Sequence, residues 1–326
     1  MSRMKRRRNE VPVALQSVDV KAVLRRRGFY LKQRENQRLK LAAKPLAKAL
    51  VKKKNGKKHK EAPVLQKYNS LSNELAQSHW EKTIHDVETI ERYFEIAVKK
   101  ILHDVEVKAL ANIESVINAH KSVRGKKKQV FDDNEVSDLQ NQAQVNLTPL
   151  LENMAIVSGQ DAMRLTGSVD PYIASEKLRA KIQSNVEKFT TSMLSTDQEF
   201  LTNLITEGIQ NGESVQQIRS AVTDNFSQYS TMQANRITRT EVLRASVQSS
   251  KDAFEQSGLV DGVQWLTAGA DDECADYEGQ IESLDGNFYD NTDEFADGDP
   301  PLHPNCRCIL LPVLIDSGGN TADDSS

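Results

Sequence analysis

Two of the chain's 3 cysteines, Cys306 and Cys308, stand two positions apart in the stretch PPLHPNCRC (300–308), just behind His303. The third, Cys274, lies upstream, at the start of an acid-rich stretch. Cys274, His303, Cys306 and Cys308 together offer four soft or borderline ligands, the number a structural zinc takes in a tetrahedron. In extended chain Cys306 and Cys308 face the same side, because side chains alternate with period two. Three prolines, Pro300, Pro301 and Pro304, stiffen the approach. A disulfide fits worst: three cysteines cannot all pair, and a separation of two is poor for a bridge. A purely packing role also fits, with the thiols acting as small apolar groups and His303 bonded to a backbone carbonyl. The third reading is catalytic. Asp271, Asp272, Glu273 and Asp276 beside His303 have the chemistry to hold a hydrolytic metal. No H-E-x-x-H, G-x-S-x-G or phosphate-cradling glycine loop accompanies them. Zinc, thiol packing and catalysis all stay open on these residues alone.

Charge is distributed unevenly along the chain. The net charge is only −3, yet residues 1–60 hold 21 Lys or Arg against 3 acids. Residues 271–299 hold 12 acids and no base. Such polarity suits a tail that meets polyanions and a body that does not. Residues 1–62 therefore read as a disordered basic arm. Its candidate contacts to double-stranded DNA are Arg6, Arg7, Arg8, Arg25, Arg26, Arg27, Lys52, Lys53, Lys54, Lys57 and Lys58. Phosphate neutralisation by such residues carries no sequence preference. The only aromatics of the arm are Phe29 and Tyr30, which argues against base stacking on single strands.

The elements that must position the Cys–His cluster are mostly helices. Residues 64–124 contain no Pro and no Gly. Trp80, Ile84, Val87, Glu91, Phe94, Ala97, Ile101 and Val105 step by three or four, as one face of a long helix or of two stacked ones must. The segment VRGKKKQVFDDNE reads as an exposed loop. Helices are expected over 133–157 and 174–191, separated by a turn at TGSVDPYI, where Asp170 before Pro171 is pushed out of the helical region. Ser195-Thr196-Asp197 reads as a new helix N-terminus. NGES closes that helix, Ser214 caps the next, and Gly258 ends the helix that carries RITRTE. The long apolar stripes need partners, from each other or from another subunit. From Val263 onward the pattern turns β-rich: VQWLTA as a strand, IESLDGNFY as a hairpin turning at Asp285-Gly286, and CILLPVLI as a further strand. The fold class is α+β, a mainly α-helical body with a small β-rich C-terminal module. Hydrophobic content of 38%, a mean hydropathy of −0.56 and the lack of any long apolar run point away from a membrane protein. The basic start has no apolar run behind it, so no signal peptide is expected.

In this order, the GES-linked helix pair, the helix bearing Arg236, Arg239 and Glu241, the strand with Trp265, Cys274, and then HPNCRC resemble the phage Mu F-like head morphogenesis family over about residues 190–314. The resemblance implies a minor head protein of tailed bacteriophages, not an enzyme. It implies residence in the virion near the portal vertex, in the capsid interior, and in the host cytoplasm during assembly. Implied partners are the portal protein, the major capsid or scaffolding protein, and DNA during packaging or delivery; no membrane is implied. The resemblance further implies that Arg236, Arg239, Glu241 and Trp265 tie their helix to the β-rich tail. Family members often carry a second cysteine three positions after the first, where this chain has Tyr277, which weakens the zinc reading. The resulting division is an arm (1–62), a helical domain (63–192), the Mu F-like module (193–314) and a polar tail (315–326). Structural zinc is the one cofactor the residues suggest. The runner-up functions are a metal-dependent nuclease with a C-terminal Cys/His site and a basic-tailed nucleic-acid-binding regulator.

Overall fold

A computed structural model describes residues 71–122, 129–268, 274–289 and 298–315. These fall within a single unit spanning Val64–Ser326. The arm and all of its candidate DNA contacts lie outside the described residues, as do Asp271, Asp272, Glu273 and most of the polar tail.

The stretch without Pro or Gly forms one helix, α1 (Asn73–Ser122). Its stripe is buried as the spacing requires, with Val87, Phe94 and Val105 fully covered. The covering comes from within the chain, since α1 packs on both α2 (Asp133–Leu165) and α4 (Val215–Ser257). No second subunit is needed for that face. Asp132 and Glu135 form a reciprocal capping box that starts α2. Gly167 at φ 84° and the bond from Ser168 N–H to the Met163 carbonyl (3.1 Å) end it. Helix α2 thus runs past the expected stop at 157 to Leu165, because nothing before Thr166 interrupts it.

Helix α3 (Glu176–Gln210) corrects the sequence reading most. Ser195-Thr196-Asp197 do not start a helix; they lie in the middle of this one. Thr196 donates to the Ser192 carbonyl one turn back (2.8 Å), and Asp197 is fully buried against α4 instead of capping. The true cap is Ser175, which accepts from Leu178 N–H and donates to Asp252 of α4 at 2.5 Å. Residues 192 and 193, between which the sequence suggests a boundary, are both inside α3. Helix α4 begins with a Ser214–Gln217 capping box and ends at Gly258 in the left-handed region (φ 61°), both as expected, but the two helices expected between those ends are a single one that runs through Tyr229 without a break.

The middle of α4 is covered on every side: each residue from Glu241 to Ser250 is buried. The segment is polar in sequence, EVLRASVQSS, yet small side chains let neighbouring helices approach. Ser246 meets Ser158 of α2 at 2.7 Å, and Ser249 and Ser250 bond back to the Ser246 carbonyl. Buried hydroxyls satisfied in this way cost little.

The C-terminal strands form a three-stranded antiparallel sheet in the order β2-β1-β3, from β1 (Val260–Leu266), β2 (Ile281–Ser283) and β3 (Ile309–Leu314). The expected hairpin at Asp285-Gly286 is only a turn, closed by Gly286 N–H to the Ser283 carbonyl. Strand β2 pairs with β1 instead, in a register setting Val263 opposite Glu282. Gly262 is required there, since a Cβ would sit 2.6 Å from the Glu282 carbonyl oxygen. Trp265 is fully buried, with Tyr277 stacked at 5.0 Å and Phe288 edge-on at 5.2 Å. No helix among the described residues is long and apolar enough to cross a membrane. The chain is α+β and mainly helical, as its sequence pattern requires.

Candidate functional site

The segment 298–308 is a stiff loop feeding β3, anchored at both ends. At its start Lys251 of α4 reaches Asp299 (2.9 Å) and the Gly286 carbonyl (2.9 Å), while the Tyr289 hydroxyl donates to the Asp299 carbonyl. The chain then turns at His303-Pro304-Asn305. Asn305 adopts φ 67°, a conformation its short polar side chain tolerates, and Cys306 N–H returns to the His303 carbonyl (3.2 Å). That turn brings Cys306 back beside His303. On the other side Cys274 opens a 3-10 turn (Ala275–Tyr277) held against β1 by Gly279 N–H to the Trp265 carbonyl.

The result is a cluster. One ligand atom each from Cys274, His303 and Cys306 lies within 4.8 Å of the others, with the two sulfurs 3.8 Å apart. Both cysteines are buried and His303 is half-buried. All three cysteines are thiols, with no disulfide between them. Cys308 is buried too and touches Cys306, but does not join the mutually close trio. Its thiol and its backbone N–H (3.5 Å) both point hydrogen at the Cys306 sulfur. Those bonds draw the Cys306 thiol down to about 5 against its burial and push the Cys308 thiol up. His303 Nδ1 lies 2.9 Å from the Pro304 carbonyl. Donating there fixes the tautomer and leaves Nε2 with the lone pair. The position that would carry the second knuckle cysteine holds Tyr277, which stacks on Trp265 instead. Of the acids expected near the site, Asp276 is described and is exposed.

The same loop is clasped to the helical body from its far side. Arg307, between the two cysteines, places Nη2 2.8 Å from Glu91 Oε1 of α1. Its backbone carbonyl accepts from the Trp80 indole N–H (2.9 Å), and its Nη1 reaches the Arg239 carbonyl (3.5 Å). Burial raises the Glu91 carboxyl, opposed by the charges of Arg307 and Arg239. Burial likewise lowers the Arg307 guanidinium, with Glu91 opposing. The connection between RITRTE and the tail thus runs through Arg239 and Arg307. Arg236 is exposed, and Glu241 forms a buried pair with Arg244 of its own helix. Trp80, Glu91 and Arg307 hold the loop in place, although no sequence motif singles them out for that role. A signal is present all the same: Glu91 is the one charged residue in the apolar stripe of α1.

Residues 199–311 match the family model described as Phage Mu protein F like protein, which bears out the resemblance over that region. An uncharacterized protein of Bacillus subtilis (strain 168), YqbB, is 27% identical over 164 residues, covering 45% of this chain. The aligned part spans about half, 53%, of that relative's length. No solved structure matches the chain.

Proposed function

We propose that the protein is a structural, non-enzymatic head morphogenesis protein of a tailed bacteriophage, a minor head protein working at the portal vertex. The observation that carries this reading is the match over residues 199–311, which contains Arg236, Arg239, Trp265, Cys274 and HPNCRC in one folded arrangement. Residues 193–314 act as the Mu F-like module, while 63–192 supply the helices that frame it. Because α3 crosses 192/193, the module is a unit of function that shares its core with the helical domain. The basic arm, 1–62, contacts double-stranded DNA without sequence preference during packaging or delivery. An arm of excess positive charge on an acidic body suits a protein set between a protein shell and packed DNA. The portal protein and the major capsid or scaffolding protein are the expected partners, and the capsid interior is the expected location.

Mass spectrometry of purified procapsids and virions tests this, together with copurification of the tagged chain with portal oligomers. The expected result is a low-copy virion component that copurifies with the portal. Absence from both particles would overturn the reading.

A further inference from the structure

We infer that Cys274, His303 and Cys306 bind a zinc ion as its three protein ligands. This stands apart from the head-assembly reading, because it concerns the purified chain alone. The first support is a distance. Four ligands around a metal with metal–sulfur bonds of ~2.3 Å place neighbouring sulfurs about 3.8 Å apart, the edge of that tetrahedron. Cys274 and Cys306 sit at 3.8 Å. A disulfide would need about 2 Å. Two thiols in simple contact reach a similar separation, so the other ligands and their surroundings decide between packing and a metal.

The second support is therefore convergence from separate elements. Cys274 comes from the cap of the 3-10 turn after β1, and His303 and Cys306 come from the two sides of the Asn305 turn. Ligand atoms of Cys274, His303 and Cys306 meet within 4.8 Å, in a loop whose backbone is fixed by prolines and by the Lys251–Asp299 pair. A packing role accounts for the His303 bond to a carbonyl, but not for an imidazole nitrogen within 4.8 Å of both sulfurs. The third support lies around the ligands. His303 Nδ1 bonds to the Pro304 carbonyl, leaving Nε2 for a metal, and Cys308 N–H bonds to the Cys306 sulfur. A carbonyl behind a ligating histidine and a backbone N–H on a ligating thiolate are the outer contacts a zinc site needs. The module has reason to use such a staple, since three short strands bury little apolar surface.

The test uses full-length protein. Elemental analysis after purification without chelator should find one zinc per chain. After chelation, added Co2+ should give the thiolate-to-cobalt charge-transfer absorption and the visible bands of a tetrahedral site. Cys274→Ser and Cys306→Ser should each weaken Zn2+ binding by at least about tenfold, the lower bound for loss of even an outer contact. The cobalt spectrum of the unmodified chain needs no variant, so a variant that fails to fold does not blunt the test. Absence of zinc together with no cobalt absorption at excess Co2+ would overturn the proposal. So would full Zn2+ affinity in the Cys274→Ser/Cys306→Ser double variant, or a mass two hydrogens lighter showing a Cys274–Cys306 disulfide in the native protein.

Discussion

Arg307 and Glu91 are 216 residues apart in sequence and form a 2.8 Å ion pair in which each side chain is only 12% exposed. The pair joins the loop that carries Cys306 and Cys308 to the first helix of the body. Removing one partner strands the other charge in a poorly solvated place. Arg307→Met or Glu91→Leu alone should therefore cost about 3 kcal/mol, whereas the double variant should come close to the parent. Urea unfolding of the three variants checks this. Equal, additive losses would mean that the two charges do not depend on each other.

The Trp80 indole meets the same segment through one hydrogen bond to the Arg307 carbonyl. Trp80→Phe keeps most of the ring but loses the N–H, so a loss of about 1 kcal/mol is expected from the bond itself. Limited proteolysis should then cut the 298–308 loop faster than in the parent. Unchanged cleavage would show that the indole packs without tethering.

How far the fold is legible in the sequence depends on the type of signal. Apolar spacing sets the length and buried face of α1, Ser214 marks a helix start through its side-chain cap, and Gly212 (φ 73°) and Gly258 (φ 61°) mark helix ends in the left-handed region. Ser195-Thr196-Asp197 misleads because a capping pattern and a buried polar contact use the same residue types. Only the position of Tyr229 and Gln233 across α4 separates the two, and no local pattern reports it. The IESLDGNFY hairpin is misplaced for a related reason. A turn signal fixes where the chain bends but not which strand it returns to. The Cys–His motif announces its own residues, while the partners that hold its loop, Trp80 and Glu91, come from the far end of the described chain. In the sequence they show only as one indole and one acid in an apolar stripe.

Gly159 of α2 makes room for the Tyr172 ring. A Cβ there would fall 2.1 Å from Tyr172 Cε1, and the ring is further fixed by its hydroxyl bond to Asp252 (2.8 Å). Ordinary helix propensity would make Gly159→Ala stabilising by roughly 1 kcal/mol. The clash should reverse that sign and cost about 1–3 kcal/mol, as overpacking does. Chemical denaturation decides between the two, and Tyr172→Leu in the same chain should recover part of the loss.

The basic arm supplies a prediction of a different kind. With 21 Lys or Arg against 3 acids over positions 1–60, the full chain should bind double-stranded DNA of unrelated sequences equally. Affinity should fall steeply with salt, by about 0.9 in log units per phosphate contact for each tenfold rise. Filter binding of the full chain and of a chain lacking positions 1–60 tests it. Salt-insensitive binding, or undiminished binding by the shortened chain, would remove the arm from the DNA contact.

Asp197 should make stability depend on pH near neutrality. It lies fully buried in α3, facing Tyr229 and Gln233 of α4, and burial raises its carboxyl from 3.8 to about 7. The folded chain then holds a proton between those values that the unfolded chain has released. Stability from this site is fully present below about pH 4 and is lost as pH rises to and through about 7, the reverse of an ion-paired carboxylate. Asp197→Asn keeps the shape and the hydrogen-bonding capacity without the charge. The variant should match the parent at pH 4 and exceed it at pH 8 by an amount on the order of 1–3 kcal/mol. Guanidinium unfolding at a series of pH values reads this directly. Parallel curves for the two proteins would mean that α4 accommodates the carboxylate at no cost, and the buried acid would then have no part in the pH response.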